Sequence, residues 1–180
     1  MQFTRRRTGA RRTRHAANGQ ALAEFAVAAV PLLLLLLGIL QFALIYNAQV
    51  GLTNGVRDAA RYGSSLVANT DAAAGQAADL TIAFLGTALA ANVVPYDAAN
   101  VGVGTQVCFA PGTDTPLPTE IRVRVTAVYG HPLVVPLINL IVDAADGNSD
   151  GLYTISSTIE LRVDNPPDPP LAVAGAQCRS

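Results

Sequence analysis

From Phe25 to Val56 the chain carries no charged side chain, and inside that run Leu32 to Leu37 are six consecutive leucines. The most apolar part, Phe25 to Tyr46, would be about 33 Å long as a helix at 1.5 Å per residue. The hydrocarbon core of a bilayer is about 30 Å thick. Six consecutive leucines do not suit a buried helix of a small soluble domain, so a membrane-spanning helix is expected. Pro31 and Gly38 lower helix propensity, yet both are tolerated in membrane helices, where Pro31 bends the axis. The alternative is a cleaved secretory signal peptide. Against it, the apolar run is longer than a normal signal core, and a cut before Gln49 would place bulky Tyr46 at the −3 position.

Charge orients this segment. All twelve basic residues are arginines, and six of them (Arg5, Arg6, Arg7, Arg11, Arg12 and Arg14) precede Gly19 in a stretch without an acid. Beyond that leader six arginines face thirteen acids, a net charge of −7. The positive-inside rule keeps the leader cytoplasmic and sends everything after about Tyr46 outward. Arg57 and Arg61 lie on the far side and are outnumbered. An acidic body gives nucleic acid no electrostatic footing. With 180 residues there is room for one modest domain outside the membrane.

One acid stands at the mouth of the apolar run. Glu24 follows Gly19 by five positions in "NGQALAEFAV", although a carboxylate in a membrane costs on the order of a few kcal/mol. Basic leader, Gly19, Gln20, then Glu24 and Phe25 opening the span together resemble the prepilin-peptidase site of type IV pilin-like proteins. That resemblance implies cleavage after Gly19, with Glu24 the fifth residue of the mature chain. The cut would create a positive amine on Gln20 one helical turn from Glu24. Within one chain, or between neighbours offset by a turn, amine and carboxylate can neutralise each other in lipid. Glu24 and Phe25 are then helix-docking residues. The competing reading is an interfacial glutamate that snorkels to the headgroups.

The longer stretch "GQALAEFAVAAVPLLLLLLGILQFALIYNAQVGLTNGVRDAARYGS" resembles the TadE-like family, the minor pseudopilins of Flp/Tad pilus systems. Gly19, Gln20, Glu24, Phe25, Pro31, Gly38, Phe42, Tyr46, Arg57, Ala60, Arg61 and Gly63 fit the family pattern. Gln41 departs from it, standing where many relatives place an acid before the aromatic. The resemblance implies a single-pass protein of the cytoplasmic membrane, its N-terminus inside and its C-terminal domain extracytoplasmic. The implied partners are a prepilin peptidase, other pilin-like or pseudopilin subunits and the Tad inner-membrane machinery. No catalysis, cofactor or small-molecule substrate is implied.

The remaining chain reads as a small outer α+β domain. The first helix is expected to continue through "NGVRDAARYGSSL", with Arg57, Asp58 and Arg61 on one exposed face and Gly63 with the following serines ending it. Thr70 and Asp71 offer an N-cap for a second helix, in which Leu80, Phe84 and Ala88 stack at four-residue spacing before Asn92 and Pro95 close it. The period then changes to two. Ile121, Val123 and Val125 alternate with Arg122 and Arg124. Tyr153, Ile155, Ile159, Leu161 and Val163 share one face of a second strand, and Thr154, Ser156, Thr158, Glu160 and Arg162 the other. "VGVGTQVCF" is a weaker third strand whose glycines imply an edge or a bulge. About three antiparallel strands are therefore expected. Leader 1–19, extended helix 20–66, outer domain 67–164 and proline-rich tail 165–180 are the expected divisions. The apolar stretch Leu133 to Val142 is a lid over the core or, alternatively, a partner or membrane-surface patch.

Reactive chemistry is sparse. His15 and His131 are the only histidines, and neither a phosphate-cradling glycine loop nor a serine elbow is present. Asp146, Asn148 and Asp150 imitate the first half of a calcium loop, but Ser157 stands where a bidentate glutamate is needed. A polar turn explains the same letters. Cys108 and Cys178, the only cysteines, are expected to pair in an outward-facing domain; two unpaired thiols are the alternative. Two function classes follow: a pseudopilin-like assembly factor docking through the Glu24 helix, or an extracytoplasmic binding domain that uses the helix only as an anchor.

Overall fold

The computed structural model describes residues 13–112, 120–135, 141, 142, 144, 147, 150–164 and 173–180, with side chains from Gln20 onward. Helix α1 runs Thr13–Ser64 and helix α2 Asp71–Asn92, followed by a short 3-10 turn, Ala98–Asn100. Strands β1 (Gln106–Pro111), β2 (Ile121–Pro132), β3 (Leu152–Arg162) and β4 (Gln177–Arg179) form one sheet in the order β3-β2-β1-β4. Every neighbouring pair is antiparallel. The fold is α+β, as the change of period from helix to strand implied. The chain divides into two compact units, Met1–Leu40 and Gln41–Ser180.

In the first unit, every side chain from Gln20 to Leu40 is exposed or half-buried, the leucine tract included. That stretch is about 31 Å long at 1.5 Å per residue, the thickness of a bilayer's hydrocarbon core. Pro31 lies within the helix. An apolar rod of this length, uncovered by protein, fits membrane anchoring.

The second unit begins where α1 acquires a buried stripe. Ile45, Ala48, Leu52, Val56, Ala59 and Ala60 recur at helical spacing and are buried, whereas Arg57, Asp58 and Arg61 face out. The span expected to reach Tyr46 is thus already shared with the domain core from Gln41 onward. α1 approaches α2 closely because Gly51 and Gly55 have no side chains. A Cβ on Gly55 would lie 3.2 Å from the Ala88 carbonyl oxygen, and one on Gly51 would collide with that of Asn92.

Thr70 caps α2 as expected, its hydroxyl accepting from the Ala73 N–H at 3.2 Å. The buried face is not the Leu80–Phe84 stack, however. Ala74, Ala77, Ala78, Thr81, Leu85, Ala88 and Leu89 are buried, whereas Leu80 and Phe84 are exposed. Close helix packing selects the face of small residues, and Phe84 instead stacks at the rim on Tyr62, centroids 4.6 Å apart.

In the sheet, Ile121, Val123, Val125, Ala127 and Tyr129 of β2 point into the core. The other face is polar, with Arg124 donating two hydrogen bonds to Glu160 across the β2–β3 pair at 2.9 and 2.7 Å. Two details differ from expectation. β1 starts only at Gln106, because Gly104 takes φ +103° in a turn closed by Thr105 N–H onto the Gly102 carbonyl. And the C-terminal segment adds a fourth strand, β4, to the outer edge of β1. Strand β2 runs antiparallel to α1. Gly63 lies against Val123, and Gln41 against Val134.

Candidate functional site

Gly19, Gln20, Glu24 and Phe25 all lie on α1. The helical turn places Gln20 and Glu24 on one face, where the Gln20 amide donates to Glu24 Oε1 at 3.1 Å. Glu24 is exposed and the Phe25 ring is 71% exposed. An acid, a neighbouring polar group and a bare apolar helix are therefore presented together, with no core holding them. The arginine leader up to residue 12 lies outside the described residues.

Cys108 on β1 and Cys178 on β4 are register partners joined by a disulfide, with Cα atoms 4.1 Å apart. Of the calcium candidates, Asp146 and Asn148 lie outside the described residues. Asp150 uses Oδ1 to accept the Leu152 N–H at 3.0 Å, a local turn bond. Among the described residues no group of three or more His, Cys, Asp or Glu side chains is placed to hold a metal. The proline-rich stretch 165–172 and the middle of the Leu133–Val142 segment also lie outside the described residues.

Tyr129 donates its hydroxyl proton to the Pro95 carbonyl at 2.9 Å and accepts the Asp97 N–H at 3.0 Å. Glu160 is held below the usual carboxylate range by hydrogen bonds from Arg124, with Arg122 adding to the effect. His131 is fully buried, neither ring nitrogen has a hydrogen-bond partner among the described residues, and desolvation pushes its pKa down. An apolar cleft lined by Ile82, Leu85, Leu89, Val101 and Val103 brings no acid–base pair together.

One residue with a structural role was noted in the sequence only as a departure from the family pattern. Gln41 is fully buried, and its Oε1 accepts the backbone N–H groups of both Val134 and Val135 at 3.1 Å. The available signal was an amide alone in a long run of apolar residues, which must find partners when buried.

No curated protein and no solved structure matches the chain. Residues 19–61, from the glycine before Gln20 through Glu24 and the bare apolar helix to Arg61, match the family model described as TadE-like protein, the family that this segment resembles.

Proposed function

We propose that the protein is a pseudopilin-like, non-enzymatic component of a Flp/Tad pilus assembly or secretion system. The observation that carries this reading is the coincidence of the TadE-like match with about 31 Å of apolar helix that no core covers. In this reading the arginine leader stays cytoplasmic and a prepilin peptidase cuts after Gly19. Residues 20–40 hold the protein in the cytoplasmic membrane, and the second unit lies outside. Glu24 and Phe25 dock the helix against other pilin-like helices. The carboxylate neutralises the new amine of Gln20 or that of a neighbour, a pairing that matters most in low dielectric.

Mass spectrometry of protein extracted from membranes tests the reading. Co-expression with an active prepilin peptidase should yield a mature chain that begins at Gln20. An intact leader under those conditions would leave the alternative, an extracytoplasmic binding domain on a simple anchor, since an anchor has no need of the cut.

A further inference from the structure

The Cys108–Cys178 bridge lies on the polar face of the sheet. Register partners in an antiparallel ladder point to one face, so Cys108 stands between Arg124 of β2 and Cys178 of β4. Cys178 is exposed and Cys108 half-buried. Both line a surface cleft of about 340 Å³ together with Arg122, Arg124 and Glu160. A buried bridge is out of reach of other thiols, whereas an exposed one is open to exchange.

Exchange at a disulfide needs an in-line approach, with the attacking sulfur arriving opposite the one that leaves. The bridge runs outward from β1 to β4. Behind Cys108 lies β2 with Arg124, whereas β4 ends the sheet and, among the described residues, no strand lies beyond Cys178. The accessible target is therefore Cys178 Sγ, and the leaving sulfur is that of Cys108. Two arginines against the one carboxylate of Glu160 keep the cleft net positive, and a stabilised thiolate leaves faster.

The ladders show what the bridge holds. The Leu133 N–H bonds the Gly151 carbonyl and the Val163 N–H that of Ile121, so odd-numbered β2 residues turn their backbone groups to β3 and even-numbered ones to β1. The groups of Val107 and Phe109 then face β4, opposite Arg179 and Gln177. Without the bridge β4 keeps this short ladder, buried Val173, the exposed Arg179–Asp79 pair and the Asp71 carboxylate, which accepts from the Ala174 N–H and the Gln177 amide. A segment held by so few contacts opens locally.

We propose that Cys178 is the attack site for a dithiol protein of the thiol–disulfide oxidoreductase class, and that reduction unlatches β4 and bares the outer edge of β1. The partner's thiolate bonds to Cys178 Sγ as the S–S bond breaks, and the electron pair of that bond leaves on Cys108. The partner's second thiolate then attacks its own sulfur in the mixed disulfide and releases Cys178. Two electrons pass to the bridge, the partner departs as a disulfide, and the two protons it gives up match those that the two cysteines take. The inference is independent of the pilus reading.

The oxidised full chain in detergent micelles is incubated with thioredoxin whose second active-site cysteine is replaced by serine, which halts exchange at the mixed disulfide. After acid quenching, mass spectrometry should find the adduct on Cys178. An adduct on Cys108 would overturn the direction of attack. A folded chain that forms none, while the urea-unfolded chain does, would overturn the site. Reduction of the folded chain by dithiothreitol should speed hydrogen exchange at Val107 and Phe109 by about tenfold or more, with Val123 and Val125 of β2 unchanged. Unchanged exchange at Val107 and Phe109 would overturn the release of β4. Equal acceleration in β2 would mean that the bridge holds the whole sheet, which overturns it too.

Discussion

Cys178 faces Cys108 across the β1–β4 ladder, with the two Cα atoms 4.1 Å apart and the sulfurs bonded. Strand β4 is only three residues long, so its ladder contributes few hydrogen bonds. The bond closes a sequence separation of 70 residues. A loop of that length stabilises the fold by about 4 kcal/mol in the chain-entropy description, an upper figure for one bridge. Arg179 adds an exposed ion pair to Asp79 of α2 at 2.7 Å, a small contribution at such a surface.

Protein from an oxidising compartment should therefore show no thiol reactive towards alkylating agents before reduction. Cys178→Ser should lower the thermal midpoint and expose the C-terminal residues to carboxypeptidase. Full labelling of both cysteines without reductant would show that the bridge is not formed in the cell.

How much of this was legible in the sequence varies with the physics of each part. The membrane-length helix, the Thr70 cap and the alternating strands are local patterns, and the sequence carries them. The face of α2 is not local. Leu80 and Phe84 look like a core stripe until Gly51 and Gly55 of α1 are known to lie opposite, because close approach rewards alanines there. β4 was not read because three residues have no period, although the expected pairing of Cys178 with Cys108 pointed to that segment lying beside β1. The role of Gln41 depends on which backbone groups lie within reach, which no spacing in the chain announces.

Close approach of the helices gives a paired test. Gly51→Val would drive a side chain into the Asn92 carbonyl and the start of the following loop. Overpacking of this kind costs roughly 1–3 kcal/mol. Among the described residues nothing lies within 4 Å of where a Cβ on Gly86 of α2 would sit, so Gly86→Ala should instead stabilise by roughly 1 kcal/mol through helix propensity. Thermal unfolding of the two variants should move in opposite directions.

Gln41→Leu removes the acceptor of two backbone donors, one of them buried. An orphaned buried N–H costs roughly 1–3 kcal/mol. The change also eliminates the Gln41 Nε2 group, which has no partner among the described residues, so the net loss should fall at the low end. Hydrogen exchange at the Val134 and Val135 amides should accelerate. Unchanged protection at both would remove Gln41 from its supporting role.

His131 sets a pH dependence. Burial lowers its pKa below the ordinary 6.5, so below that pH the unfolded chain binds a proton that the fold refuses. Its stabilising contribution is complete above pH 6.5 and is lost as the pH falls towards the depressed folded value. Stability measured downward from pH 7 should decline from about 6.5, before the carboxylates titrate. His131→Leu should flatten that part of the curve, and an identical decline in the variant would assign it elsewhere.

Glu24 supplies the last test, because its roles in insertion and docking separate. Glu24→Gln keeps the shape of the side chain, and the Gln20 amide still has an oxygen to bond at that position. Insertion should be normal or slightly improved, since a charge costing a few kcal/mol in lipid is gone. Cleavage after Gly19 should largely survive if the peptidase reads the glycine. Association is what should fail, because a neutral amide cannot offset an amine buried in low dielectric. Co-purification with pilin-like partners and piliation of a strain that relies on this copy should both fall. The snorkelling reading predicts that both persist, so a Glu24→Gln chain that inserts, is cleaved and supports normal piliation would show that Glu24 does not dock.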